Sequence, residues 1–345
     1  DCTDFRATSM VQTSDGGYAI TGYYIYPGSE YPTGSMYIAK FDKAGNYLWG
    51  KGWGNMSHAD RYGEYGDRGN AIVQANDGGY VITGQTASYS TNGDNDMFIA
   101  KFDSNGSFSW NKTLGIEAND DSGSSLAKTS DGGYVVTGNT CPALEDCTLF
   151  LAKYDSAGSL LWSKSGGGSS IVQTSDGGYV AISGVYIKKY NSSGDLLWDK
   201  AWTSNLSGEY GASVVQTSDG GYALTGTTAA HSNGGSYDMI FIKFDSAGNI
   251  TWSRTWGGPY ADSGNSIIQT GDGGYIIVGN TTYNLHMFFV KFDSMGNLSW
   301  NKTFGSGDLS SNGKAIIETS DGGYAIVGNI TDGLGPMIVK LTTEG

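Results

Sequence analysis

The chain has 345 residues, of which 55 are Gly, 23 Tyr and only 5 Pro, a profile that excludes collagen-like and proline-rich disordered chains and fits many short strands joined by tight turns. Charged residues make up 16%, with 34 acids against 20 bases and a net charge of −14, so no basic stripe exists to hold a phosphate backbone and nucleic acid is not an expected partner. No apolar run approaches bilayer length, and the sequence opens at Asp1 rather than Met, as a secreted chain does after loss of its signal peptide; an extracellular or cell-surface location is expected.

From the N-terminus, residues 1–8 read as a crossover into a first strand that ends at the turn T-S-D-G-G-Y, residues 13–18. A D-G-G-Y turn then recurs, its Asp at Asp15, Asp77, Asp131, Asp176, Asp219, Asp272 and Asp321, with separations of 43 to 62 residues. Spacing of that size is blade spacing. A second motif, K-F/Y-D/N-x-x-G-x-x-x-W, follows each of the first six turns and places Trp at Trp49, Trp110, Trp162, Trp198, Trp252 and Trp300. The sixth repeat shows the full grammar: NSIIQT, the turn GDGG, YIIVGNT, a variable loop, HMFFVKFD, the turn SMGN, then LSWNKTFG. Four antiparallel strands result, with two-residue hairpin turns expected at both Gly-bearing motifs. Strands such as YIIVG are apolar on both faces, so each four-stranded sheet must be covered by its neighbours. The expected fold is all-β, a single seven-bladed β-propeller over 1–345, with blades near 1–57, 58–115, 116–166, 167–204, 205–257, 258–306 and 307–345. The seventh repeat stops where the Gly of its last turn stands, so its blade is expected to lack the outer strand within this chain; continuation past Gly345, the N-terminal segment or a strand from another molecule are the three ways to fill it, continuation being favoured.

T-S-D-G-G-Y resembles the Asp-box turn of sialidases and related propellers, and KFDSAGNITW is similar to the tryptophan-docking motif of quinoprotein propellers, one residue shorter. As a whole the chain resembles the DGGY-repeat propellers of archaeal and bacterial surface proteins, which implies a rigid extracellular module and leaves the biochemical role open, because propellers host many functions. The sequence departs from the enzyme families: Arg6, Arg61, Arg68 and Arg254 stand in scattered contexts rather than as a carboxylate-binding cluster, and the adjacent cysteines of quinoprotein dehydrogenases are missing, so no cofactor is required.

The repeated aspartates are expected to bond their own turns, and Lys40, Lys101, Lys153, Lys189, Lys243, Lys291 and Lys340 to satisfy one repeated contact, since a charge buried between strands needs a partner. Cys141 and Cys147, in the polar loop NTCPALEDCT, are expected to form a disulfide that clips a short excursion, leaving Cys2 over. Ten N-x-S/T sequons occur; Asn111, Asn249, Asn297 and Asn301 lie on or just before the Trp strand, where glycans would shield an unpaired edge, and Asn55, Asn105, Asn191, Asn205, Asn280 and Asn329 complete the set. In WNKTF, Asn301 and Thr303 are expected to face outward, opposite Trp300, Lys302 and Phe304.

Two groups of residues are candidate sites. The crossovers into the first strands place acids before a Gly, at Asp67, Asp121, Glu209 and Asp262, and with Glu117 and Asp120 these oxygen ligands are expected at one mouth of the channel as a possible calcium site; the competing reading is that each acid caps local backbone in solvent. Tyr23, Tyr24, Tyr26 and Tyr31 in the first long loop, with Tyr62, Tyr65, Tyr210 and Tyr260 in the crossovers, suit sugar faces and protein partners, or else pack the loops down. The three histidines, His58, His231 and His286, fall in unrelated repeats and show no triad spacing. The composite expectation is a non-enzymatic extracellular propeller in a surface layer, adhesin or filament, with copies of itself or other surface proteins as partners; a carbohydrate-binding propeller is the alternative, and a secreted hydrolase or lyase using acids such as Asp67, Asp121 and Asp262 is the third.

Overall fold

The structure, a computed structural model, describes residues 4–25, 34–54, 66–90, 94–115, 119–142, 146–203, 208–229, 237–282, 286–305, 311–330 and 335–344. Among the described residues all regular structure is strand. The strands form seven antiparallel sheets, each wound in chain order. They are β1–β4 (Asp4–Gln12, Tyr18–Ile25, Met36–Phe41, Tyr47–Trp53), β5–β8 (Asp67–Gln74, Tyr80–Thr86, Asp96–Phe102, Phe108–Leu114) and β9–β12 (Asn119–Lys128, Tyr134–Pro142, Thr148–Tyr154, Leu160–Ser165). After these come β13–β16 (Ser170–Gln173, Tyr179–Ser183, Tyr186–Tyr190, Leu196–Ala201), β17–β20 (Tyr210–Gln216, Tyr222–Thr228, Asp238–Phe244, Ile250–Trp256) and β21–β24 (Asp262–Gln269, Tyr275–Thr281, Met287–Phe292, Leu298–Phe304). The seventh sheet has three strands, β25–β27 (Ser311–Glu318, Tyr324–Ile330, Gly335–Leu341). This is the seven-bladed propeller class, with the short last blade that the repeats foretell.

The chain divides into two compact units, Asp1–Gly168 with Gly333–Pro336, and Ser169–Asp332 with Met337–Gly345. In the first unit, apolar side chains of successive sheets interlock: Ile38 and Met36 meet Ile82 and Phe98, and Ile99 and Val81 meet Val136 and Tyr154. The second unit repeats the arrangement, with Val180 and Ile187 against Leu224 and Phe244, Phe241 against Ile277, and Phe289 against Ile326. Central strands such as β18 and β23 are buried along their whole length, which is why they read as apolar on both faces.

Both hairpin turns are one residue longer than expected. Thr13 N donates to Gly17 O at 2.9 Å and Gly16 N to Thr13 O at 2.8 Å, enclosing three residues of which Gly16 alone has positive φ, 79°. That is a type I turn closed by a left-handed Gly. The second Gly of the motif serves packing instead: a Cβ on Gly17 would lie 2.3 Å from Phe41 O and 2.5 Å from Lys40 Nζ. At the other turn, Gly45 closes the loop from Asp42 in the same way.

The tryptophans join one blade to the next. A Cβ on Gly106 would sit 2.4 Å from the Trp49 ring, on Gly158 2.7 Å from Trp110, on Gly248 2.5 Å from Trp198 and on Gly296 2.9 Å from Trp252. Each indole therefore lies flat on the bare turn of the following sheet, beside that sheet's D-G-G-Y tyrosine, as in the Trp49–Tyr80 pair at 5.9 Å. The Trp strands are the sheet edges, as expected, but their alternation is weak: in β24 only Trp300 is half-buried, while Lys302 and Phe304 are exposed along with Asn301 and Thr303. An edge strand meets the next sheet only where the indole does.

Gly158→Ala combines a positive φ of 82° with collision against Trp110, and is expected to destabilise the protein by roughly 1–3 kcal/mol, read as a lower thermal midpoint. Gly177→Ala, at a φ of 80° but with nothing within 4 Å, carries only the backbone cost and is expected to lower it less.

Candidate functional site

Each blade has two unlike ends, one formed by its two hairpin turns and the other by the loop between its second and third strands together with the crossover to the next blade. The turn end is occupied by a repeated lock. Lys153 Nζ, its side chain 5% exposed, reaches Asp131 at 2.9 Å and Tyr154 O at 3.2 Å, while Asp131 also accepts from Gly133 N and Thr129 Oγ1. Lys40–Asp15, Lys189–Asp176, Lys243–Asp219 and Lys291–Asp272 pair the same way at 2.8 to 2.9 Å, and Lys101–Asp77 and Lys340–Asp321 are in contact. Neighbouring turns are stitched across the blades, Ser14 N to Gln74 Oε1 at 2.8 Å and Ser218 N to Gln269 Oε1 at 2.7 Å. These groups are satisfied by one another, as the recurrence of the motif implied.

The lock shifts its carboxylates. The Thr13 hydroxyl, with Lys40 and Gly17 N, holds Asp15 at about 2. At Asp131, Asp176, Asp219 and Asp272 partial burial pushes the group up, and the bonds from Lys, Thr and the Gly amide outweigh it and hold each at about 2.

The loop end is where the candidate acids lie, and they are buried within the blades rather than presented to solvent. Asp67, Asp121, Glu209 and Asp262 are 0%, 2%, 5% and 4% exposed. Asp67 accepts from Thr86 Oγ1 and Ser88 Oγ, Glu209 from Thr228 Oγ1 at 2.8 Å and Ala229 N at 3.0 Å, and Asp262 from Gly258 N at 2.9 Å. Asp120 accepts from Asn95 N at 3.0 Å. Asp67, Glu209 and Asp262 thus hold nearby groups in the interior rather than in solvent. Glu117 lies outside the described residues. Among the described residues no three Asp, Glu, His or Cys side chains are placed together as a ready metal site.

Sequence reasoning missed a second set of acids that faces the first. Asp96 and Asp238 open β7 and β19, and Asp94 lies just before β7; burial above all, then the charges of Asp94 and Asp121, push Asp96 up to about 6. The legible signal was an acid directly before the Met that starts the apolar third strand, D-M-F-I and D-M-I-F.

The candidate tyrosines divide. Tyr23 and Tyr24 lie in β2 rather than in the long loop: Tyr23 is buried with the Arg68 guanidinium 4.5 Å from its ring centre, and Tyr24 packs on Phe5 at 3.9 Å. Tyr210 and Tyr260 are about half exposed at the loop end, and Tyr26, Tyr31, Tyr62 and Tyr65 lie outside the described residues. Two tyrosines not singled out from the sequence, Tyr89 and Tyr237, are exposed at the same end. Tyr89 stacks on Trp53, ring centres 4.7 Å apart and planes 18° from parallel, and Trp53 is itself fixed against Phe98.

Cys141 and Cys147 form the expected disulfide where β10 gives way to β11; Cys2 lies outside the described residues. Of the sequons, Asn105, Asn249, Asn297 and Asn301 are exposed and Asn111 and Asn191 half-buried, while Asn55 and Asn205 lie outside the described residues. Asn280 is half-buried, its oxygen accepting from Asn265 Nδ2 and its own nitrogen left for a glycan, whereas Asn329 is buried inside β26, and that one position is corrected because packing leaves it no room for a glycan.

Residues 149–329, just over half of the chain, match the family model described as outer membrane protein assembly factor BamB, a quinoprotein-like repeat. The chain belongs to that repeat family. No curated protein matches the sequence. Among solved structures, this quinoprotein-like propeller is similar to the BP39L lectin from Burkholderia pseudomallei, at 10% identity and a TM-score of 0.66 over 99% of this chain and 97% of that one. It is also similar to a PL25 ulvan lyase bound to a sugar, at 11% identity and 0.60 over 99% and 96%, and to the Pan2 WD40 domain of Neurospora crassa, at 8% and 0.60 over 98% and 89%. Such identities establish the propeller fold and nothing more.

The carboxylates of the locks sit below their ordinary 3.8 in the folded propeller, so the stability they add is full above that value and is lost as pH falls from about 4 to about 2. Asp96 has the opposite sign and costs stability as pH rises from 3.8 to about 6. Thermal midpoints measured from pH 2 to 8 are expected to drop steeply below pH 4, and Asp96→Asn to flatten the shallow decline between pH 4 and 6.

Proposed function

We propose that this propeller is a non-catalytic extracellular binding module that takes carbohydrate at its loop end, in a cell-surface adhesion setting. The observation that carries the reading is Tyr89, exposed at 46% yet stacked on the rigid base of Trp53 and Phe98. A sugar ring presents an apolar face that stacks on such a platform at little entropic cost, because the aromatic ring is already fixed. The turn end, by contrast, has spent its charges on the Lys–Asp locks. The lectin and the sugar-bound lyase among the similar structures support the choice of ligand class, and the burial of Asp67, Glu209 and Asp262, each holding nearby hydroxyl or amide groups, supports a binding rather than a catalytic role.

A second reading, self-association, is favoured by the exposed apolar residues on the edge strands, among them Leu48, Leu161, Leu197 and Leu298, each at least half exposed. One set of measurements separates the two. On a glycan array the protein is expected to bind a defined subset of sugars, with binding lost in Tyr89→Ala and kept in Tyr89→Phe. No hit across the array, or equal binding by Tyr89→Ala, overturns the carbohydrate reading; ordered oligomers by light scattering together with an empty array would establish the second.

A further inference from the structure

Where the first strand of one sheet passes the third strand of the sheet before it, two junctions bring a pair of aspartates together. Between the second and third sheets, a Cβ on Gly115 would lie 1.9 Å from Asp96 Oδ1 and 3.2 Å from Asp121 Oδ2, so both carboxylates converge on one bare Cα. Between the fifth and sixth, Gly257 is approached in the same way by Asp238 Oδ1 at 2.2 Å and Asp262 Oδ2 at 2.9 Å. Asp121, Asp238 and Asp262 are buried and Asp96 is half-buried. Two carboxylates facing each other away from water repel, and a hydrogen-bond donor, as Gly258 N is to Asp262 Oδ2, a shared proton or a cation relieves the repulsion.

The junction between the second and third sheets has a further feature. Asp94, 2% exposed, accepts from Ser90 Oγ through Oδ1, but its Oδ2 is buried with no hydrogen-bond partner. A buried carboxylate oxygen without a donor is costly, and its charge acts on Asp96 more strongly than that of Asp121. Asp94 thus adds to the Asp96–Asp121 pair a third buried acid near enough to act on Asp96, with one oxygen for which the fold supplies no donor.

We propose that Asp96 and Asp121, with Asp94 beside them, bind a divalent cation of the calcium type. The donors are hard oxygens, and calcium accepts six to eight of them in irregular geometry, so backbone carbonyls and water can complete a shell that two converging carboxylates begin. With only two of the three acids converging, the affinity falls in the weak range of extracellular modules, about 10⁻⁴–10⁻³ M. The Asp238–Asp262 pair has a serine two residues before Asp238 in the sequence, where the first pair has Asp94, and is expected to bind more weakly still. The site would tie two adjacent blades together beneath the exposed loops.

The test uses the full chain, freed of metal by chelation at pH 7 and titrated with calcium chloride while the thermal midpoint and terbium luminescence are followed. The wild type is expected to gain a few degrees at millimolar calcium and to sensitise terbium. Asp94→Asn and the Asp96→Asn, Asp121→Asn double variant should lose most of that gain, while Asp238→Asn keeps it. If the double variant does not fold, the single Asp94→Asn variant decides. Absence of any calcium-dependent shift, or a double variant as stable as the wild type with the response intact, overturns the proposal and leaves a shared proton as the means by which the pair is accommodated.

Discussion

A lysine ammonium held inside a β-sheet is the constraint around which six of the blades are arranged, and in the seventh Lys340 makes the same pair from a half-exposed position. Nearly all of the Lys153 side chain is out of water, and it is tolerable there because an aspartate and a backbone carbonyl receive its ammonium, the aspartate being held in turn by a threonine hydroxyl. The aspartate, in turn, is positioned by the turn it caps, and that turn requires one glycine for its dihedral and a second for close approach. The motif therefore reads as five residues but is held by a sixth, the lysine some 13 to 25 residues further on. Remove the charge and the turn loses the anchor that sets its angle to the third strand.

This arrangement polarises the blade. One end is repetitive because its geometry is fully specified by the lock, the stitches between turns and the indole resting on a glycine. The opposite end has no such obligation, and its loops differ in length and composition from repeat to repeat. Exposed tyrosines collect there, as does the acid pairing that breaks the sevenfold pattern: Ser35 and His286 stand where Asp96 and Asp238 stand in other blades. Departures from a repeat are where function is to be sought, because they are the positions that folding alone does not demand.

The architecture was legible in the sequence because each of its rules is local and repeated. Glycine spacing marked the turns, continuous apolar runs marked strands covered on both sides, and the two cysteines of one short loop marked their bridge. What escaped was what depends on a neighbouring blade. Two adjacent glycines read alone suggest a two-residue turn, because both look dihedral, whereas Gly17 is small to admit Lys40 and Phe41 from across the sheet. Tyr23 looked like a ligand contact until Arg68 of the next sheet covered it. The acids looked solvated because the crossovers are polar, yet packing between sheets buries Asp121 and Asp262 and sets them against partners more than 20 residues away in the chain.

The indole that lies on the next blade's glycine also bears on how such a chain grows. Each of the first six repeats carries a tryptophan, and at Trp49, Trp110, Trp198 and Trp252 it rests on the bare turn of the repeat that follows, so such repeats can follow one another interchangeably. Duplication or loss of a whole repeat in the gene leaves every joint matched, while a cut within a repeat separates the tryptophan from the turn that receives it. The unit of inheritance is thereby set by a steric contact between neighbours, and copy number is free to change long before the sequences of the repeats diverge.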